Sequence, residues 1–276
     1  METHMQLNDP SLFKQACLIG GKWVSAPDGE VIPVHNPADN SVIGAVPNLG
    51  RKETLDAVNE AKKAWPAWKA LAPLQRAEIL RRWHALVLEH LEDLALIMTS
   101  EQGKPLAEAK GEIMVGAGYI LWYAEEGRRL YGDVITSPWP GKQPLTIRQP
   151  IGVTAAITPW NFPMSMIARK ASPALAAGCP MIVKPASATP FSALAMAELA
   201  VRAGVPAGVL SVVTGGAKEI GGELCANPDV RKISFTGSTA VGKELLKSCA
   251  DTVKKVSMEL GGNAPMIVCA DADLDQ

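Results

Sequence analysis

The feature that most constrains this fold is a regular alternation of short apolar runs and helical stretches that begins at Ile151. The apolar runs predict five strands, at residues 152–158, 180–184, 209–213, 231–236 and 254–259. The stretches between them have helical spacing, at residues 164–177, 190–203, 217–226 and 239–250. Strand–helix–strand units repeated in this way build a parallel sheet with helices on both faces. The sequence therefore predicts an α/β fold with a doubly wound parallel sheet.

The first half of the chain has a different pattern. Between residues 10 and 48, turn formers such as Gly20-Gly21 interrupt short apolar stretches, which predicts strands and hairpins. From Arg51 to Tyr131 the apolar spacing is helical, and Pro66 and Gly103-Lys104-Pro105 are expected to divide this part into about three helices. These patterns divide the whole chain into four segments. They are strands and helices packed on the sheet (1–136), the start of a proline-rich extended arm (137–150), the sheet domain (151–262) and the start of a further domain (263–276).

Charge is distributed unevenly along the chain. The totals of 27 basic and 28 acidic side chains leave a net charge of −1, which argues against a nucleic-acid or membrane-surface binder. No apolar run approaches the roughly 18 residues that a membrane span needs. Residues 134–197 nevertheless contain no acid. If burial alone explained this, basic side chains would be excluded as well as acidic ones. The bases that remain in this segment therefore favour a local site for an anionic ligand. They are Lys142, Arg148, Arg169, Lys170 and Lys184.

The cysteines and histidines predict neither disulfides nor a metal site. The five cysteines are widely spaced and form no C-x-x-C pair, which makes a reducing cytoplasm the natural setting. The four histidines all precede residue 91, away from most of the cysteines, and no metal site is expected. Cys269 lies in an apolar run, residues 265–269, and is expected to be buried in a strand. Asp271, Asp273 and Asp275 are similar to the start of a calcium loop but are expected to begin a helix.

Ligands of parallel sheets bind in the loops that follow the strands. After the first strand, Asn161 can cap the next helix or direct its amide donors to a developing oxyanion, and the residues alone favour the cap. The second strand ends at Lys184, where dinucleotide folds have an acid that binds the ribose hydroxyls. A lysine followed by Ser187 suits a 2′-phosphate instead. The 26 residues from Thr158 to Lys184 match the usual distance between successive strands.

The last two strands are followed by a glycine turn and by a carboxylate. Gly237-Ser238 opens a helix, where backbone amides can approach a phosphate. The run from Gly237 to Lys243 also has the G-x-x-x-x-G-K spacing of a P-loop, although Glu244 replaces the hydroxyl residue that would bind magnesium. With a Walker-B-like run ending at Asp271, a nucleotide hydrolase stays an alternative. Glu259 ends the fifth strand, either as a solvated carboxylate or as a general base.

Four motifs in order resemble the aldehyde dehydrogenase superfamily, although each is weak alone. They are Pro-Trp-Asn-Phe-Pro (159–163), Lys-Pro-Ala-Ser (184–187), Phe-Thr-Gly-Ser-Thr (235–239) and Met-Glu-Leu-Gly-Gly-Asn-Ala-Pro (258–265). The resemblance extends over nearly all of the chain and includes Glu-Gln-Gly-Lys-Pro-Leu-Ala-Glu-Ala (101–109). Within the superfamily it points to the bacterial NADP-type succinate-semialdehyde dehydrogenases. Residues 166–170 are similar to the segment whose arginine binds the substrate carboxylate in those enzymes.

The resemblance implies a variant Rossmann sheet that binds NADP, with NAD possible, and oxidation of an acidic aldehyde such as succinate semialdehyde. In this family a cysteine thiolate attacks the aldehyde and a glutamate activates the water that hydrolyses the thioester. On this sequence Asn161 becomes the oxyanion donor, Glu259 the base and Arg169 the partner of the distal carboxylate. Lys184 and Ser187 would bind the adenine ribose. The other implied cofactor contacts are Trp160, Asn161, Pro185, Ala186, Gly221, Phe235, Gly237, Ser238, Val241 and Leu260.

The resemblance also implies which part of such an enzyme this chain supplies. The nucleophilic cysteine of the family lies beyond the glutamate motif, and no cysteine here occupies a matching position. We therefore expect the cofactor-binding half of an enzyme whose complete form is a homo-oligomer. A standalone dinucleotide-binding or interaction module and a P-loop-like hydrolase are the alternatives.

Overall fold

The computed structural model describes residues 5–273, which contain nine strands and eight α-helices. The strands are β1 (Cys17–Ile19), β2 (Lys22–Val24), β3 (Val31–His35), β4 (Val42–Pro47), β5 (Val153–Ile157), β6 (Met181–Lys184), β7 (Leu210–Val212), β8 (Val230–Thr236) and β9 (Lys255–Glu259). The helices are α1 (Arg51–Ala70), α2 (Pro73–Glu89), α3 (Leu91–Gln102), α4 (Leu106–Glu126), α5 (Ser165–Ala176), α6 (Phe191–Arg202), α7 (Ala217–Ala226) and α8 (Thr239–Ala250). Short 3-10 helices lie at Pro10–Leu12 and Gly127–Arg129.

Seven strands form one sheet, in the order β2-β1-β7-β6-β5-β8-β9. The five strands from β5 to β9 run parallel and alternate with helices, so the prediction of a doubly wound α/β sheet is confirmed. The strand order reverses beside β5, which is where ligands of such sheets bind. The predicted N-terminal hairpins are also present, and β1 joins the main sheet antiparallel to β7. The segment boundaries at residues 136, 150 and 262 remain predictions.

The central strands are buried on both faces, which explains why they are continuous apolar runs rather than alternating ones. On one face, Ala156, Val183 and Val212 pack into the core that α2 to α6 build. On the other face, Ala155 and Ile182 pack beneath α1 and α7. The helices of the first half are therefore a required cover for the sheet, because each face would otherwise expose its apolar side chains.

Four α-helices, rather than the predicted three, lie between Arg51 and Tyr131. Pro66 was expected to end a helix, and this is wrong, because α1 continues through it to Ala70. Pro66 lies on the exposed face of α1, where the carbonyl group that loses its helical partner can bind water. The first break instead comes just before Pro73, which begins α2, and a second break lies at His90. Gly103 follows the end of α3, as predicted.

The region after β9 differs from the prediction. Residues 260–273 form no strand or helix, so the strand expected at 265–269 is wrong. Cys269 is exposed rather than buried, and Met266 and Ile267 are each 85% exposed. A strand needs a partner backbone, and this run pairs with none among residues 5–273. Asp271 lies in a turn, and the end of the expected helix start, including Asp275, lies outside the described residues.

Residues 130–152 connect the helices to the sheet over an exposed path. They contain one isolated antiparallel bridge, between Val134 and Leu145, and no regular strand. Within residues 5–273, no helix is both long enough and apolar enough to cross a bilayer.

We expect Gly215→Ala to lower the free energy of unfolding by about 2 kcal/mol or more. Gly215 has φ 141°, and a Cβ there would lie 2.0 Å from the carbonyl oxygen of Leu49, to which this segment is bridged. Urea denaturation measures the change. Gly222→Ala is the matched control, because a Cβ at this position in α7 meets no atom within 4 Å and alanine favours a helix. A Gly215→Ala protein as stable as wild type would contradict the prediction.

Candidate functional site

The strand ends that carry the predicted motifs lie side by side along one edge of the sheet. Ile157 of β5 pairs with Lys184 of β6 and with Phe235 of β8, and Phe235 pairs with Met258 of β9. The loops after these four strands therefore leave the sheet at one level. They and the strand ends carry most of the predicted site residues, namely Trp160, Asn161, Pro185, Ala186, Ser187, Gly237, Ser238, Glu259 and Leu260.

The end of β6 presents a buried cation. Lys184 is only 5% exposed, and its Nζ donates to the carbonyl oxygen of Pro185 at 3.0 Å. Burial lowers the pKa of this ammonium group. Ser187, three residues further on, is exposed, and residues 185–190 contain no acid. An anionic group at this strand end would gain both a cation and a hydroxyl donor.

The turn from β8 into α8 is short and well capped. The amide of Gly237 donates to the carbonyl oxygen of Glu259 at 3.1 Å, which holds the ends of β8 and β9 together. Ser238 is the N-cap of α8, and its hydroxyl accepts from the amide of Val241 at 3.4 Å. The remaining amides of this helix start can bind an anion in the manner of a phosphate site.

The structure of the segment from Gly237 to Lys243 does not fit a P-loop. α8 begins at Thr239, so the residues between Gly237 and Lys243 are largely helical rather than a loop that could wrap around phosphates. The run ending at Asp271 is not a strand, so this residue cannot take the place of a Walker B acid.

The loop after β5 does not use Asn161 as a helix cap. The N-cap of α5 is Met164, three residues after Asn161, so the cap expectation from the residues alone is wrong. Glu112 of α4 takes over the role, because its Oε1 accepts from the amides of Met164 and Ser165, both at 3.0 Å. The Asn161 side chain is exposed beside Trp160, which is 58% exposed.

Glu101 of α3 caps α6 in the same way. Its two carboxylate oxygens accept from the amides of Phe191 and Ser192, each at 2.7 Å. Burial raises the pKa of Glu101 to about 7, although the hydrogen bonds from Ser192 and Phe191 oppose this change. α6 follows the loop that contains Ser187, so Glu101 holds the end of that loop where it enters the helix.

An open cavity of about 400 Å³ lies between α5 and the sheet. At its wall, the Nη2 of Arg169 lies 3.4 Å from the Oε1 of Glu259, with both side chains exposed. The predicted substrate arginine and the predicted base are thus brought together and form an ion pair.

Two further cations line this cavity. Lys170 Nζ donates to the hydroxyl of Ser234 at 2.9 Å, and Lys232 Nζ donates to the hydroxyl of Ser257 at 2.7 Å. Burial and the neighbouring charges of Arg169 and Lys232 lower the pKa of Lys170 to about 8, while Glu259 opposes this change. The cavity therefore has an excess of positive groups and suits an anionic ligand.

Comparison with known proteins decides the family. Residues 23–276 match the aldehyde dehydrogenase family. This chain belongs to the aldehyde dehydrogenase family. The resemblance stated from the motifs is thereby confirmed.

Semialdehyde dehydrogenases are among its similar relatives. The chain is 61% identical over 272 residues to the succinate-semialdehyde dehydrogenase (NADP(+)) GabD of Escherichia coli (strain K12), which covers 99% of this chain and 56% of that protein. It is also 61% identical over 272 residues to a glutarate-semialdehyde dehydrogenase of Pseudomonas putida, covering 99% of this chain and 57% of that protein. A crystal structure of an E. coli NADP-dependent enzyme superposes with a TM-score of 0.94 and 61% identity, over 98% of this chain and 56% of that one. The chain thus spans about half the length of the relatives that it matches.

Two of the predicted cofactor residues, Gly221 and Val241, lie in helices rather than at the strand ends. Gly221 is buried in α7, and a Cβ there would lie 3.8 Å from Leu245 of α8. Leu260 packs beside Gly242 in the first turn of α8, next to the exposed Val241. Gly221 and Val241 therefore lie in α7 and α8, whereas Leu260 directly follows β9 and contacts α8 from there.

The sequence predicted no role for Glu101, Glu112 or Lys232. A signal for Glu101 was present, because it follows Met98 and Ile97 by three and four residues on the apolar face of its helix. A carboxylate on such a face indicates a buried hydrogen-bonding partner. Lys232 lies on the face of a strand, and nothing in its local sequence indicated the cavity.

Glu101→Gln is expected to flatten the pH dependence of stability between about pH 4.5 and pH 7. The pKa of the folded carboxyl is about 7, above its ordinary value of 4.5, so between these values the folded state binds more protons than the unfolded state. The contribution of Glu101 to the free energy of unfolding therefore falls as the pH rises through this window. Urea denaturation at a series of pH values measures the slope.

Glu108→Gln is the control for this experiment, because Glu108 is exposed on α4. It should keep the wild-type slope. A Glu101→Gln protein with that same slope would show that Glu101 does not titrate in this range.

Proposed function

We propose that this chain is the cofactor-binding half of an NADP-linked aldehyde dehydrogenase that oxidises an acidic semialdehyde such as succinate semialdehyde. The observation that carries the proposal is the single row of strand ends. It has the buried cation Lys184 on one side and the Arg169–Glu259 pair on the other. Since the chain spans 56% of its E. coli relative, the activity of the complete protein is part of the proposal.

The residues at the strand ends fit NADP. Lys184 offers a cation and Ser187 a hydroxyl where a 2′-phosphate needs both, and no acid between residues 185 and 190 would repel it. The start of α8, at Gly237 and Ser238, offers backbone amides for a pyrophosphate. When bound, the nicotinamide of such a cofactor accepts a hydride from the substrate. The E. coli relative is named for NADP, which supports this choice over NAD.

Three side chains of this chain would act on the aldehyde. Asn161, exposed at the end of β5, would donate its amide hydrogen to the aldehyde oxygen as negative charge develops there. Arg169 would bind the distal carboxylate of the substrate with two parallel hydrogen bonds. Because Arg169 now pairs with Glu259 at 3.4 Å, a substrate carboxylate would replace Glu259 as its partner. Glu259 would then be free to take a proton from water.

The setting of the enzyme is also part of the proposal. We propose a reducing cytoplasm, in which the five free thiols of this chain would stay reduced. The complete enzyme would be a homo-oligomer with a small-molecule substrate, and we propose no nucleic-acid or membrane partner.

Lys184→Met is expected to weaken NADP binding by the 276-residue chain about 10- to 100-fold, because a hydrogen bond to a charged group contributes about 1.5–3 kcal/mol. NAD lacks the 2′-phosphate and should lose much less affinity. Isothermal titration calorimetry with each cofactor measures both effects. Lys247→Met, at an exposed lysine in the last turn of α8, is the matched control and should bind as wild type. Equal losses for NADP and NAD would place the 2′-phosphate elsewhere.

The chain alone is expected to bind NADP without producing NADPH from succinate semialdehyde. Burial raises the pKa of the Cys17, Cys179 and Cys225 thiols, which makes them poor nucleophiles. Cys269 is the exposed thiol among the described residues. Absorbance of NADPH measures turnover. Turnover that Cys269→Ser abolishes would mean that the chain carries its own nucleophile, and a chain that binds neither cofactor would favour an interaction module.

A further inference from the structure

A buried ion pair lies behind the loop that carries Asn161. Lys104 follows the end of α3 and Glu112 lies in α4, so both come from the helical first half of the chain. Lys104 Nζ lies 2.5 Å from Glu112 Oε2, and the two side chains are 9% and 2% exposed. The Asn161 loop is therefore backed by two charged groups that are shielded from water.

Both members of the pair bind the backbone of this loop. Lys104 Nζ donates to the carbonyl oxygen of Asn161 at 3.0 Å and lies 4.1 Å from the centre of the Phe162 ring. Glu112 Oε1 accepts from the amides of Met164 and Ser165, both at 3.0 Å. One ion pair thus holds the segment from Asn161 to the first residue of α5 at both ends.

Stability alone does not explain this arrangement. Removing two charges from water is costly, and well-packed apolar residues often replace a buried pair without loss of stability. Lys110, also in α4, makes a different kind of pair with Glu92, at 2.7 Å and with side chains 35% and 62% exposed. The burial of Lys104 and its contact with the Asn161 backbone set it apart from such a surface pair.

We propose that Lys104 and Glu112 are positioning residues for the reacting end of the site. They fix the backbone from which the Asn161 amide reaches the substrate oxygen. What the loop binds rests on the proposed function, whereas the anchoring of the loop does not. The adenine end has a separate anchor, because Glu101 holds the start of α6. Loss of the Lys104–Glu112 pair should therefore loosen one end of the bound cofactor and leave the other end intact.

The two ends can be separated with two ligands. NADP reaches both ends, whereas adenosine 2′,5′-bisphosphate has only the adenine end. The double variant Lys104→Met/Glu112→Gln removes both charges and so leaves no unpaired charge in the interior. In the 276-residue chain we expect it to weaken NADP binding about fivefold to tenfold and bisphosphate binding less than about twofold. Equal weakening of both ligands would indicate a general structural role and would overturn the proposal.

Amide hydrogen exchange tests the anchor without any ligand. In the double variant we expect exchange at Met164 and Ser165 to become about tenfold faster or more, with exchange at Phe191 and Ser192 unchanged. Lys110→Met, which breaks the surface pair in α4, is the matched control and should alter neither. Unchanged exchange at Met164 and Ser165 would overturn the anchor. If the wild-type chain bound neither ligand, the proposed function would fail, and the exchange result would still decide whether the anchor exists.

Discussion

The parallel register of β5, β6, β8 and β9 is the constraint on which the rest of the structure depends. It aligns Ile157, Lys184, Phe235 and Met258 in one row, so that four loops from distant parts of the sequence meet at one edge. Parallel strands of this kind are stable only when both faces are covered. The helices on either side are thus as necessary to the site as the loops themselves.

The helices of the first half do more than cover the sheet. The N-caps of α5 and α6 are Met164 and Pro190, whose side chains cannot accept a hydrogen bond from the free amides of a helix start. Glu112 and Glu101 supply the missing acceptors from α4 and α3. When ionised, each carboxylate also places negative charge at the positive end of a helix dipole. The two loops that would hold cofactor and substrate are therefore fixed by the neighbouring helical layer.

Both ends of the site carry cations and therefore suit anionic ligands. Lys184 lies at the end of β6, and Arg169, Lys170 and Lys232 surround Glu259 on the wall of the cavity. Burying these cations is costly, because burial disfavours their charged form. Burial accordingly lowers the pKa of Lys170 to about 8 and also lowers the pKa of Lys184. An enzyme that binds a phosphorylated dinucleotide and an acidic aldehyde has use for both groups of cations, because each ligand brings the anion that would offset this cost.

The sequence by itself determined the strands and helices between Ile151 and Glu259, to within a few residues, because two-sided burial and helical periodicity are local patterns. It also located the strand ends, at or beside which Asn161, Lys184 and Glu259 lie. The motifs at these strand ends indicated the family. Tertiary structure alone decided the rest. Pro66 is tolerated because its face of α1 is exposed, and Cys269 is exposed because its run meets no partner strand among residues 5–273. Glu101 binds the start of α6, and Lys104 and Glu112 bind the Asn161 loop, so these contacts join groups from different layers. A local pattern can show that a charged residue lies on an apolar face without showing which distant group it contacts there.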